Sequence, residues 1–226
     1  SSADCCRFGH EYLDQKEFGK AIDAFQEALQ AEEDNLEIRL GLSTAYMARE
    51  DFGKAAIEYE EVLALYPEEV AAQSGYCDAY LALGDVRFTM GRLDEAEYAY
   101  QQVLKISPQH RDGRVRLAKL FHHRAVSAIS ANVETALEQA RSALDLSPDD
   151  PDLQMVVHEL EALAAGKQDI KNVLLSWGNR AKEQQNWQDA FDLLSSYQRM
   201  EDDDEIADTV HDLHDKARLE ALSALK

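Results

Sequence analysis

With 44 acidic residues against 23 basic ones in 226, the chain carries a formal charge of −21. That balance repels a phosphate backbone, whose binding needs Lys and Arg, so nucleic acid and anionic membrane are disfavoured partners and a basic protein or peptide is favoured. A composition of 45% hydrophobic and 30% charged residues excludes a disordered chain.

Four stretches repeat one helical pattern. They are FGKAIDAFQEALQAEE from Phe18 to Glu33, DFGKAAIEYEEVLALYP from Asp51 to Pro67, LDEAEYAYQQVLKISP from Leu93 to Pro108 and VETALEQARSALDLSP from Val133 to Pro148. Their anchor alanines, Ala21, Ala55, Ala96 and Ala136, are 34, 41 and 40 residues apart. A large residue follows each anchor after four positions, except in the last copy, which has Ala140. Repetition at this period predicts a stacked array of helix pairs.

In chain order, the first unit runs from about Ala3 to Glu33, with a turn at Gln15 to Glu17. Its second helix places Phe18, Ala21, Ile22, Phe25, Ala28 and Leu29 on one face. The second unit repeats the plan from Leu36 to Pro67. Units three and four are longer by seven and six residues, both ahead of the second helix of the pair. Seven residues is nearly two helical turns, so a first helix can lengthen without rotating its buried face. Helices over about Glu68 to Met90 and Gln109 to Ser130 are predicted, projecting beyond the others. An additional helix follows at Pro151 to Ala165 and is ended by Gly166. It either pairs with Gln168 to Gln184, or packs alone while Gln168 to Gln184 pairs with Trp187 to Met200. The acidic run Glu201 to Glu205 opens a final helix over Asp203 to Ala224. Ile206, Val210, Leu213, Ala217 and Ala221 form its apolar stripe, the pattern of a terminal cap.

Residues Gly9 to Tyr12, Phe18, Ala21, Phe25 and Ala28, then Leu42, Tyr46, Phe52, Ala55, Tyr59 and Pro67, resemble the tetratricopeptide-repeat family. The third unit matches through Tyr80, Leu83, Gly84, Leu93, Ala96, Tyr100, Val103 and Pro108, with Arg87 where the family prefers an aromatic. The fourth is weaker, with Arg124 in place of a small residue, and a late match runs through Leu174, Trp177, Gly178, Ala181, Trp187 and Ala190. The resemblance implies an all-α fold: a right-handed α-solenoid of antiparallel helix pairs, about twelve helices in all. Residues 1–148 would hold four pairs, 149–200 the additional helix and a degenerate pair, and 201–226 the cap.

Motifs for chemistry are weak. Phe18-Gly19-Lys20 and Phe52-Gly53-Lys54 contain a Gly-Lys pair but lack the remainder of a phosphate loop. Cys5, Cys6 and His10 lack a second pair of ligands at finger spacing, so they read as ordinary helix residues and no metal is expected. His122 with His123, and His211 with His214, read as surface histidines. Nothing argues for catalysis, and neither an enzyme nor a cofactor is expected.

The resemblance implies that the first helices of the pairs line a binding groove. The matching groove residues are His10, Leu13 and Asp14, then Leu40, Thr44 and Met47, then Leu81, Asp85 and Phe88, with Phe121 in the fourth unit. Members that grip a chaperone tail by its carboxylate use Lys, Asn and Arg, where this chain has Cys6, His10, Thr44, Leu81 and Asp85. That clamp is absent. The expected function is a scaffold or adaptor whose groove binds an amphipathic or basic partner segment. The alternative is a regulatory or substrate-recruiting arm of a multidomain enzyme whose catalytic domain lies elsewhere. Self-association through an exposed edge is a further reading. The three cysteines, odd in number, point to a reducing, cytoplasmic setting. No run of about 18 apolar residues exists for membrane insertion. The chain begins Ser-Ser without Met or a signal sequence, and reads as a piece of a longer protein.

Overall fold

The computed structural model describes residues 1–201 and 203–223. Within them lie twelve helices and no strand. The first six are α1 (Ser2–Asp14), α2 (Phe18–Ala31), α3 (Leu36–Ala48), α4 (Phe52–Leu65), α5 (Val70–Thr89) and α6 (Leu93–Ile106). The second six are α7 (Arg111–Ala128), α8 (Val133–Leu146), α9 (Pro151–Ala164), α10 (Ile170–Glu183), α11 (Trp187–Gln198) and α12 (Asp204–Ser223). The chain divides into two compact units, one built mainly of residues 1–113 and the other mainly of residues from 114 onward.

Side-chain caps start many of these helices. Asn35, Asn132, Asp150, Asp169 and Asn186 each accept from a backbone N–H two or three residues ahead, in the first turn, and Pro151 occupies the first turn of α9. The ends share a second device. After α1, Lys16 takes a positive φ of 59°, its N–H donates to the Leu13 carbonyl, and the Glu17 N–H donates to that of Tyr12. This is a Schellman closure, and it recurs at Glu50 (φ 64°), Gly166 (φ 66°) and Gln185 (φ 59°). It reverses the chain in three residues, which lays the next helix back along the first. Ser2 Oγ accordingly donates to the Ala28 carbonyl, joining the start of α1 to the end of α2.

Unit 1 is held by large side chains seated on glycine. A Cβ on Gly9 would stand 2.6 Å from the Phe25 ring, and one on Gly41 only 2.5 Å from it, so Phe25 is clasped between α1 and α3. Tyr59 sits against Gly75 in the same way, and Tyr100 against Gly84. The fully buried alanines Ala21, Ala28, Ala55 and Ala96 allow the same approach on the other side. The extra seven residues of the third repeat fall between Gly75 and Gly84, which face Tyr59 of the preceding helix and Tyr100 of the following one. A gain of two turns keeps both glycines on a packing face. Helix α5 is thus 20 residues long and α7 is 18, against 13 for α1 and for α3.

Unit 2 has its core between α7, α8, α9 and α10. Ala125, Val126, Ile129, Ala136 and Ala140 cluster there with Val156, Val157 and Leu160 of α9 and with Val173, Leu174 and Trp177 of α10. The small Ala140, where the other repeats have an aromatic, shares this cluster with three branched residues of α9. Helix α9 lies against α8, and α10 lies against α11, where a Cβ on Gly178 would meet Leu194 at 2.5 Å. The Trp177 indole N–H also donates to Glu159, tying α10 to α9. Leu213 of α12 closes a smaller cluster with Ala181, Ala190 and Leu194. Along α12, Leu213 and Ala217 are buried, Ile206 and Val210 half-buried, and Ala221 exposed. Asp203 accepts from the Ile206 N–H at the head of that helix. Asp202 of the acidic run, and Ala224 at the predicted end, lie outside the described residues.

Candidate functional site

The candidate groove residues are spaced four and three apart on their helices. His10 and Leu13 follow Cys6 on α1, Leu40 precedes Thr44 and Met47 on α3, and Leu81 precedes Asp85 and Phe88 on α5. Spacing of i, i+4, i+7 places each trio on one helix face. His10, Asp14 and Thr44 are exposed, while Leu13, Leu40, Met47, Asp85 and Phe88 are half-buried. Leu81 is different. At 6% exposure it belongs to the interior of the protein and offers no surface.

Two of the polar members already have partners. The Thr44 hydroxyl donates to the Leu40 carbonyl at 2.8 Å, turning inward along its own helix. Asp85 accepts from the Tyr100 hydroxyl at 2.8 Å, so its carboxylate positions the aromatic ring that rests on Gly84. Phe121 lies in unit 2, half-buried against Ala118, Ala143 and Leu153. Of the other candidates in unit 1, Leu13, Leu40, Met47 and Phe88 are half-buried and Asp14 is exposed.

Within unit 1 the head of α1 meets the head of α3. Cys6, His10 and Glu37 line an open pocket of about 380 Å³, whose wall also includes Glu32, Asn35 and Arg7. His10 Nε2 stands 3.7 Å from Glu37 Oε1, and the His10 ring meets Phe25 edge-on at 5.1 Å between centroids. Cys6 is buried, and burial pushes its thiol above the usual range, helped by the carboxylates of Glu37 and Glu32. Sequence spacing could not pair Glu37 with Cys6 and His10, because it arrives from the next repeat.

Unit 2 holds an ionic contact that sequence spacing missed. His123 Nδ1 lies 2.7 Å from Asp189 Oδ1, joining α7 to α11, and the Asn186 side-chain amide donates to the other Asp189 oxygen at 2.6 Å. Asp189 is only 4% exposed. The hydrogen bond to Asp189 raises the His123 pKa, burial lowers that of the adjacent His122, and burial raises that of Asp192. The reading of His122 and His123 as surface residues is corrected here, since both are half-buried and His123 is a structural tie. His211 and His214 are exposed. Cys5, Cys6 and Cys77 are free, and no helix among the described residues is long and apolar enough to cross a membrane.

Three tetratricopeptide-repeat models match, over residues 5–35, 34–109 and 81–151. No curated protein matches the chain. Similar solved structures include a tetratricopeptide-repeat protein of Bacteroides fragilis, 19% identical, covering 72% of this chain and 83% of that one at a TM-score of 0.47. Another, from Thermus thermophilus, is 16% identical and covers 100% of this chain and 99% of that one at 0.37. The first repeat domain of Spaghetti (RPAP3), solved with the HSP90 peptide SRMEEVD, is 23% identical and covers 55% of this chain and 93% of that one at 0.38. Together, the matched repeats and the glycine-seated aromatics at their predicted positions place the chain in the tetratricopeptide-repeat family.

Proposed function

We propose that the chain is a protein-binding scaffold that holds a partner segment along the α1, α3 and α5 face of unit 1. Repeat arrays of this family serve as interaction surfaces, and their repetition offers one ligand several equivalent contacts. The observation that carries the reading is that Leu13 of α1, Leu40 and Met47 of α3 and Phe88 of α5 are apolar yet only half-buried, while Asp14 is exposed. In a chain of net charge −21, such a surface suits an amphipathic or extended segment bearing Lys or Arg. The residues at the carboxylate-clamp positions, His10, Thr44 and Asp85 among them, disfavour a partner held by its C-terminal carboxylate. Three free cysteines fit a reducing, cytoplasmic setting.

The test is affinity capture with this chain as bait, followed by titration of the captured partner's binding segment. Because Leu81 is buried, the informative variants are Asp14→Lys and Met47→Glu, which alter the accessible face. Each is expected to weaken binding by about tenfold, roughly 1.4 kcal/mol, with circular dichroism unchanged. Raised salt is expected to weaken the wild-type complex. Binding that neither variant nor salt changes would place the interaction on another surface.

A further inference from the structure

We propose that Cys6, His10 and Glu37 form a binding site for a divalent transition-metal ion of the zinc class. This site is independent of the partner-binding reading, and either could fail alone.

Three donor atoms of different chemistry converge at this pocket. Cys6 Sγ, a His10 ring nitrogen and a Glu37 carboxylate oxygen all lie within 4.8 Å of one another. Thiolate, imidazole and carboxylate bind zinc at about 2.3, 2.0 and 2.1 Å, so donors around a tetrahedral ion stand roughly 3.3 to 3.7 Å apart. The His10 to Glu37 separation is already 3.7 Å. Closing the set takes side-chain adjustments of about 1 Å, within reach of rotamer changes.

The fold supplies the arrangement. Cys6 and His10 are four apart on α1, so both point from one helix face. Glu37 stands in the first turn of α3, and α3 is brought against α1 because Gly9 and Gly41 both receive Phe25. The same Phe25 ring abuts the His10 imidazole and limits its orientation. Arg7, the cation nearest the pocket, is engaged with Asp4 at 3.5 Å and with Glu11 at 3.9 Å.

The donor chemistry selects the ion. Sulfur with imidazole favours zinc, cobalt and their neighbours, whereas magnesium and calcium prefer all-oxygen sites. Three protein ligands leave a fourth position, which the open pocket gives to water or to the Glu32 carboxylate. The Cys6 thiol releases its proton to solvent as its sulfur takes the metal. The bound ion would pin α1 to α3.

The test is titration of the full chain with Co²⁺ under a non-chelating reductant, read by thiolate-to-cobalt charge-transfer absorption. One equivalent is expected to give that band, Zn²⁺ to displace it, and Zn²⁺ but not Mg²⁺ to raise the melting temperature. Cys6→Ser is expected to abolish the band and Cys5→Ser to retain it. His10→Ala and Glu37→Gln, both at exposed positions, are expected to weaken binding by on the order of tenfold or more. A missing band, a band that survives Cys6→Ser, or affinity unchanged in both His10→Ala and Glu37→Gln overturns the site. In that case, Cys6, His10 and Glu37 form only a hydrogen-bonded and ionic contact.

Discussion

Gly19 and Gly84 test the small-residue rule from opposite sides. Nothing lies within 4 Å of a Cβ added at Gly19, whereas one at Gly84 would meet Tyr100 Cε1 at 2.4 Å. That ring is anchored through its hydroxyl to Asp85, so it cannot swing aside freely. Helix propensity favours Ala by up to about 1 kcal/mol at either position. At Gly84 the overpacking term, about 1 to 3 kcal/mol, is expected to win. Chemical denaturation should show Gly19→Ala neutral or stabilising and Gly84→Ala destabilising. Equal effects would mean that the Tyr100 contact is soft. Sequence revealed this residue logic well, since Gly9, Gly84 and Gly178 stand twelve residues before Ala21, Ala96 and Ala190. It failed for Leu81, because the same i, i+4, i+7 face carries both exposed and buried positions once neighbouring helices cover part of it.

At the scale of the element, the helix ends and the α7 to α11 tie are the informative features. Glu50 holds φ 64°, a conformation that costs a β-carbon-bearing residue about 1 kcal/mol. Glu50→Gly is therefore expected to stabilise by about 0.5 kcal/mol after the greater unfolded-state freedom of glycine is counted, as a rise in melting temperature. A fall would show that the Glu50 side chain contributes more than its backbone costs. The His123 pair responds to pH. Its folded-state pKa is raised by Asp189, so its stabilisation is complete below the unfolded histidine value of about 6.5 and is lost as pH climbs through the raised value. Asp192 also favours the imidazolium and Lys119 opposes it, while His122, lowered by burial, acts in the opposite sense below about 6.5. The useful quantity is thus the melting-temperature gap between the wild type and Asp189→Asn. It is expected to be widest near pH 6 and to narrow as pH rises. A gap that widens with pH would contradict the pairing.

Across the whole molecule, stability in repeat arrays is passed from neighbour to neighbour, and an end needs a cover. Leu213 and Ala217 of α12 are buried, and Leu213 shares a cluster with Ala181, Ala190 and Leu194. Ending the chain after Glu201 should uncover that cluster, lower the melting temperature and speed hydrogen exchange first in α10 and α11. Exchange unchanged in those helices would show that α12 does not protect that cluster. The sequence by itself determined the helices, their repeat period and the anchors of each pair, because these depend on local propensity and on apolar residues spaced along one chain segment. It also determined that α5 and α7 are long, since seven extra residues can enter a helix only as whole turns if the packing face is to be kept. Only the tertiary structure decided that α10 lies along α11, that Asp189 meets His123, and that Glu37 joins Cys6 and His10. The first settles which of two neighbours α10 takes, and the other two unite residues from different repeats; such partners are chosen by how closely helices approach, as over Phe25 between α1 and α3, a property of packed surfaces that spacing within one segment does not encode.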